Sequence, residues 1–258
     1  MESAQAIQEG SVTTSIAGGI ASITFFHPLS NSLPGRVLRE LAAAIDTCGK
    51  AEEIRVIVLR SQGDKTFCAG ASFDELSSIQ DLETGKTFFS GFAGVINAAR
   101  KCPKLIIGRV QGKAVGGGVG MAAACDYVFA TLEASVKLSE LAVGIGPFVV
   151  GPAVERKIGL SAMSELAINA TEWRSAEWAK NKGLYNEVYP GIAEMDLAIE
   201  KLAFRLASGS PEAMEQLKTI FWEGTAHWDT LLLDRAAVSG ELVLSEYSKN
   251  AIARFKAK

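Results

Sequence analysis

An α/β chain with a helical C-terminal portion is the fold class that the sequence predicts, and three observations predict it. Short, mostly apolar segments at 54–59 and 105–110, each with a single arginine, read as strands of a parallel sheet buried on both faces. Stretches with apolar residues at helical spacing alternate with them as far as residue 149. Beyond that point the strand signal nearly vanishes: only 183–189 can pair, and amphipathic helix dominates.

The elements follow in order. Residues 11–17 and 20–26 alternate or run apolar around Gly18-Gly19, which predicts a β-hairpin. Pro34 stands at a helix-start position, and Val37, Leu38, Leu41, Ala44 and Ile45 recur at helical spacing until Gly49, where the helix is expected to stop. A buried strand at 54–59 leads into a loop, and Ser72-Phe73-Asp74-Glu75 has the S-x-x-E form of a capping box. Cys68-Ala69-Gly70-Ala71 is therefore parked at a helix N-terminus. Residues 88–99 read as helix, 105–110 as strand, and 127–130 and 136–138 as short strands. Gly116-Gly117-Gly118-Val119-Gly120 runs into Met121-Ala122-Ala123-Ala124, so the glycines open a helix. Further helices are expected at 192–207, 211–222, 228–243 and 246–255. With no repeat, low-complexity tract or linker, the chain divides into a core at 1–192 and a helical region at 193–258.

Composition excludes several classes. A chain of 258 residues, 48% hydrophobic, can build a sizeable core, and a net charge of −3 without a basic stripe argues against nucleic acid as a partner. The start Met1-Glu2-Ser3-Ala4-Gln5 has no signal-peptide pattern, and no run of about 18 apolar residues occurs, so a cytoplasmic protein without membrane contact is expected. Cys48, Cys68, Cys102 and Cys125 lack paired metal spacings and read as reduced, small core residues. His27 and His227 are the only histidines, too few for a histidine metal cluster, and no metal is expected.

The glycine run must serve its backbone. Bare N–H groups at a helix start suit an anion, either a bound phosphate or an oxyanion that develops on a carbonyl. Gly118-x-Gly120-x-x-Ala123, with Glu140 about twenty residues on, also fits a dinucleotide fingerprint. That fingerprint closes the first strand of its domain, whereas this run follows a hairpin and at least two helices.

Three stretches carry a family resemblance. Phe67-Cys68-Ala69-Gly70-Ala71-Ser72-Phe73 resembles F-C-A-G-A-D-L. Val110-Gln111-Gly112-Lys113-Ala114-Val115-Gly116-Gly117-Gly118, followed by Ala124-Cys125-Asp126-Tyr127, resembles V-x-G-x-A-x-G-G-G and C-D. Glu140-Leu141-Ala142-Val143-Gly144-Ile145-Gly146-Pro147 resembles P-E-x-x-x-G-x-x-P, with Ser139 in place of the first proline. In order and spacing these are similar to the crotonase (enoyl-CoA hydratase/isomerase) superfamily. The resemblance implies a crotonase-like ββα spiral core, a helical C-terminal trimerisation region, and a homotrimer or dimer of trimers. It implies an acyl-CoA substrate, with coenzyme A as part of that substrate and no separate cofactor. It places the oxyanion donors at the N–H groups of Ala71 and Gly117 and the catalytic carboxylate at Glu140. CoA contacts fall by position on Leu29, Ser30, Ser32, Ala69 and Gly70, with Lys65 among several lysines that would meet the phosphates.

One departure shapes the expected chemistry. The family's hydratases use a second glutamate just after the glycine run, and here that position is Gly120. A single carboxylate suits moving one proton within a substrate, as in the family's isomerases, and Val143, Phe148 and Val149 are candidates for an apolar wall that raises its pKa. The resemblance thus implies conversion of 3-enoyl-CoA to 2-enoyl-CoA. A hydratase, including a methylglutaconyl-CoA type, a decarboxylase, and a catalytically silent CoA-binding scaffold stay open.

Overall fold

A two-residue Gly18-Gly19 turn joins β1 (Ser11–Ala17) to β2 (Ile20–Phe26), with Ala17 opposite Ile20 and Ser11 opposite Phe26. The structure, a computed structural model, describes residues 9–256; Met1 to Gln5, read above for a targeting signal, lie outside them. After the hairpin come β3 (Ser32–Leu33), β4 (Val56–Ser61), β5 (Thr66–Cys68) and β6 (Gly70–Ala71). The later strands are β7 (Leu105–Val110), β8 (Lys113–Val115), β9 (Tyr127–Thr131), β10 (Val136–Lys137) and β11 (Glu187–Tyr189). Among the described residues the main sheet has six strands in the order β1-β2-β4-β7-β9-β11, parallel everywhere except within the hairpin. A smaller three-stranded sheet, β10-β8-β5, stands beside it, and β3 pairs with β6.

Both faces of the main sheet are covered, as its mostly apolar strands require. Ile57, Leu59 and Ile106 share one core cluster with Val37 and Leu41 of the helix Gly35–Lys50 and with Ile96 of Leu82–Lys101. On the other face Val56, Val58, Ile107 and Phe129 meet Met195, Ile199 and Ala203 of the helix Ile192–Ala207. The helix Ile192–Ala207 thus covers this face of the sheet. All four cysteines are free and buried.

The structure corrects three details of the sequence reading. The first helix passes through Gly49 to Lys50; Gly49 is buried close to Cys102, so it serves packing and not termination. Leu82–Lys101 begins six residues before the apolar period does, because its polar first turn is held by the Asp81 cap, whose carboxylate accepts the N–H of Thr84 at 2.8 Å. The helix Gly151–Ile168 was not singled out at all. Pro152 opens it, and Gly159, at φ 75° and ψ 161°, breaks it midway, so no single apolar period runs through it.

Asp126 ties the C-terminal helices to the core. Its buried carboxylate accepts from the backbone N–H of Ile106 (2.7 Å), from Lys218 Nζ (2.6 Å) and from Trp222 Nε1 (2.9 Å). Lys218 is itself buried, so this pair holds only while both charges are present. Among the described residues no helix is long and apolar enough to cross a membrane. D126A strands the Lys218 ammonium and should cost about 3–5 kcal/mol of stability; chemical denaturation of the variant beside the parent measures it.

Candidate active site

Two loops and one turn converge on a cavity of about 510 Å³. The first loop, Ala69-Gly70-Ala71, is held from the chain before it. Ala69 N–H donates to Asn31 O (3.3 Å), Ser72 N–H to Leu33 O (2.9 Å), and Ser32 Oγ to Ala71 O (2.8 Å). Ser72 then caps the helix Phe73–Ser78 by accepting the Glu75 N–H at 3.3 Å. The expected capping box is half formed: the Glu75 carboxylate reaches across to the Gly35 N–H at 2.8 Å.

The second loop is the glycine run. Gly116 takes φ 52° and ψ −113°, a conformation that L side chains avoid, and its N–H donates to Lys137 O at 2.9 Å. Gly117 is the first residue of the helix Gly117–Ala124, so the helix leaves its N–H without an internal partner. A Cβ at Gly117 would clash with the Phe92 ring, and one at Gly118 would lie 2.6 Å from Cys68 O. Every residue of this helix is buried. The far side of the run therefore faces protein.

Glu140 heads a short 3-10 turn, Glu140–Val143, that ends at Gly144 with φ 80°. Its Oε1 would stand 2.8 Å from a Cβ placed on Gly116, so the bare glycine makes room for the carboxylate. Its Oε2 is buried, with no hydrogen-bond partner among the described residues. Burial raises the Glu140 pKa to about 7, against a smaller lowering from its own backbone N–H. A carboxyl group at this value exchanges a proton readily at neutral pH.

Ala71, Gly117 and Glu140 all line this one cavity, together with Ala69 and Gly70. A Cβ on Gly70 would sit 3.9 Å from Gly117 N, which brings the two loops side by side. Val143, Phe148 and Val149 line the cavity too, joined by Phe73, Phe88, Phe89 and Phe92. Leu29, Ser30 and Ser32 do not line it. Leu29 and Ser30 are exposed on the adjoining turn, and the Ser32 hydroxyl is committed to Ala71 O. Lys65 is exposed outside the cavity.

Sequence reasoning missed Asn31 and Phe92. Asn31, at φ 54°, donates to Gln62 O (3.0 Å) and Thr66 O (2.9 Å) and accepts the His27 N–H (2.9 Å), so it knots three segments behind the Ala69 loop. A buried Asn in the left-handed region is a turn signal that one sequence shows only weakly. Among the described residues no group of three or more His, Cys, Asp or Glu could hold a metal ion.

Gly120 stands apart from the cavity. A Cβ there would lie 2.5 Å from Val150 Cγ1 and 3.5 Å from Ile96 Cδ1, and Val150 itself faces the cavity. Val150 occupies the space through which a side chain at 120 would have to pass.

The family model for enoyl-CoA hydratase/isomerase matches residues 15–250. The chain is 29% identical over 241 residues to a "Probable enoyl-CoA hydratase" of Bacillus subtilis (strain 168), covering 93% of each. It is 33% identical over 198 residues to the mitochondrial methylglutaconyl-CoA hydratase of Homo sapiens, covering 75% of this chain and 58% of that protein. The crystal structure of an enoyl-CoA hydratase from Bacillus halodurans superposes with a TM-score of 0.86 at 22% identity, covering 94% of this chain and 99% of that one. This protein belongs to the enoyl-CoA hydratase/isomerase family. Its fold is that of the crotonase superfamily, with a helical C-terminal region.

If Glu140 acts as a base, the rate should rise with pH through about 7 and then level off. Stability runs the other way. The folded carboxyl keeps its proton above the ordinary value of 4.5, so the stabilisation is complete below that value and is lost as pH rises through about 7. E140Q stays neutral throughout, so its melting temperature should gain on the parent between pH 5 and pH 8. A constant difference across that range would contradict the buried, uncompensated carboxylate.

Proposed function

We propose that this enzyme moves a double bond by proton transfer, converting a 3-enoyl-CoA to a 2-enoyl-CoA. The carrying observation is a site with one buried carboxylate among the described residues, at Glu140, and no room for a second at position 120. Glu140 removes a proton from C2, and the C–H electron pair delocalises through the thioester carbonyl and the C3–C4 double bond. The N–H groups of Ala71 and Gly117 hold the resulting dienolate oxygen, each such donor supplying about 3–4 kcal/mol of transition-state stabilisation. Return of the proton to C4 leaves the double bond between C2 and C3. The apolar wall keeps water away from the dienolate and keeps the Glu140 pKa near 7, so the same group serves as base and then as acid.

Hydration is the second reading, and the hydratase names of the relatives favour it. Incubation with 3-enoyl-CoA and 2-enoyl-CoA in deuterated water separates the two. Deuterium at C2 or C4 without added water supports isomerisation; 3-hydroxyacyl-CoA supports hydration; loss of carbon dioxide from a carboxylated ester supports decarboxylation. Neither exchange nor product, with CoA-ester binding retained, would mean a silent scaffold. E140Q should slow exchange by about 10²- to 10⁴-fold while binding persists. G120E alone should not create a hydratase, because Val150 blocks the new side chain; hydration by G120E at the family rate would overturn the single-acid reading.

We further propose a trimer or a dimer of trimers. Leu197 and Phe204 on the helix Ile192–Ala207, Ile220, and Tyr247 on Glu246–Lys256 are 63–69% exposed, an apolar surface that association would bury. Sedimentation equilibrium should give three or six times 27.4 kDa; a monomer at all concentrations would refute it.

A further inference from the structure

The chemistry just described leaves one charged group of the cavity unused. Lys137 lines it, the only basic side chain among the described residues that do so. Its place follows from strand order. β10 carries Lys137 at one edge of the small sheet, β5 leads into the Ala69-Gly70-Ala71 loop at the other edge, and β8 lies between. With strands about 4.8 Å apart, the two edges are about 10 Å apart. β8 ends at Val115, directly before the glycine run, so the Gly117 donor lies between the two edges.

Strand alternation turns Lys137 toward the cavity. Val136 and Leu138 are buried, while Lys137 and its β-partner Val115 both line the cavity. The Lys137 Nζ stands 4.5 Å from the centroid of the Trp173 ring, and the Lys113 Nζ stands 5.1 Å from the same centroid. No carboxylate among the described residues comes within ion-pair distance of Lys137. Partial burial, and then the Lys113 charge, lower its pKa; Glu172 acts weakly in the opposite sense. An ammonium on an apolar wall with no counter-ion is costly unless the ligand brings one.

We propose that Lys137 is a specificity residue for acyl-CoA substrates whose acyl chain ends in a carboxylate. The proposal rests on the acyl-CoA reading of the cavity given above. With the thioester oxygen between Ala71 and Gly117 and CoA leaving past Ala69 and Gly70, the acyl chain runs toward the opposite sheet edge. Lys137 meets its terminal carboxylate there, Trp173 holds the lysine in place, and Lys113 adds to the positive field. A short dicarboxylic acyl chain suits this separation, which is less than the roughly 10 Å between the two edges because the thioester oxygen lies between them.

The test compares 3-hexenoyl-CoA with 3-hexenedioyl-CoA, equal in length and different only in the terminal carboxylate. The parent should favour the dioyl ester, and K137M should lower the ratio of the two kcat/KM values by about ten- to hundredfold, mainly through KM, with K137R restoring part of it. A ratio does not depend on the fraction of folded variant. If the parent binds but turns over neither ester, the ratio of the two dissociation constants from calorimetry replaces it. An unchanged ratio in K137M would overturn the proposal alone. Equal losses for both esters and for free CoA would also overturn it, placing Lys137 on the CoA phosphates. Failure of the parent to bind either ester would overturn the acyl-CoA reading beneath it.

Discussion

At Gly116 and Gly117 the main chain is squeezed between a carboxylate and an aromatic ring, and the rest of the site is arranged around that squeeze. A methyl group on Gly116 would press on Glu140 Oε1 at 2.8 Å, and one on Gly117 would clash with the Phe92 ring. Only hydrogen fits in either place. Because the backbone comes so close, an N–H donor and a buried carboxylate share a volume too small for two side chains. The same crowding desolvates the Glu140 carboxylate, which raises its pKa and leaves Oε2 without a partner among the described residues.

Such a site needs support from outside itself. Asn31 and Ser32 fasten the Ala71 loop from one side, and the Lys137 carbonyl holds Gly116 from the other. Phe92 arrives on the long helix Leu82–Lys101 and fills the space beneath Gly117. The Asp126–Lys218–Trp222 knot then binds the C-terminal helices to the end of the helix that the glycines open. Stability gained in these buried contacts offsets the cost of an uncompensated carboxylate in the cavity.

Much of the framework was legible because it depends on neighbours in sequence. The hairpin around Gly18-Gly19, the strand Leu105–Val110 and the helix Ile192–Ala207 lie where alternation and period put them. The glycine run announced a backbone function because four glycines in five residues can have few other uses. Gly151–Ile168 escaped because Gly159 splits its period, and Phe92 escaped because a phenylalanine at helical spacing looks like any core residue. Asn31 escaped for a related reason: its partners, Gln62 and Thr66, are more than thirty residues away.

By itself the sequence determined the order of elements, the bare backbone at 116–118 and the lack of a carboxylate at 120, since these are matters of residue type and local period. Whether that lack could be made good from elsewhere was a question for the tertiary structure. Val150, thirty residues on, packs over Gly120 and closes the space, while Lys137 is brought to the cavity by a strand pairing with Val115. The physical reason is the same in both cases. Local pattern specifies which way the chain runs, but which side chain fills a given volume is decided by packing between segments distant in sequence.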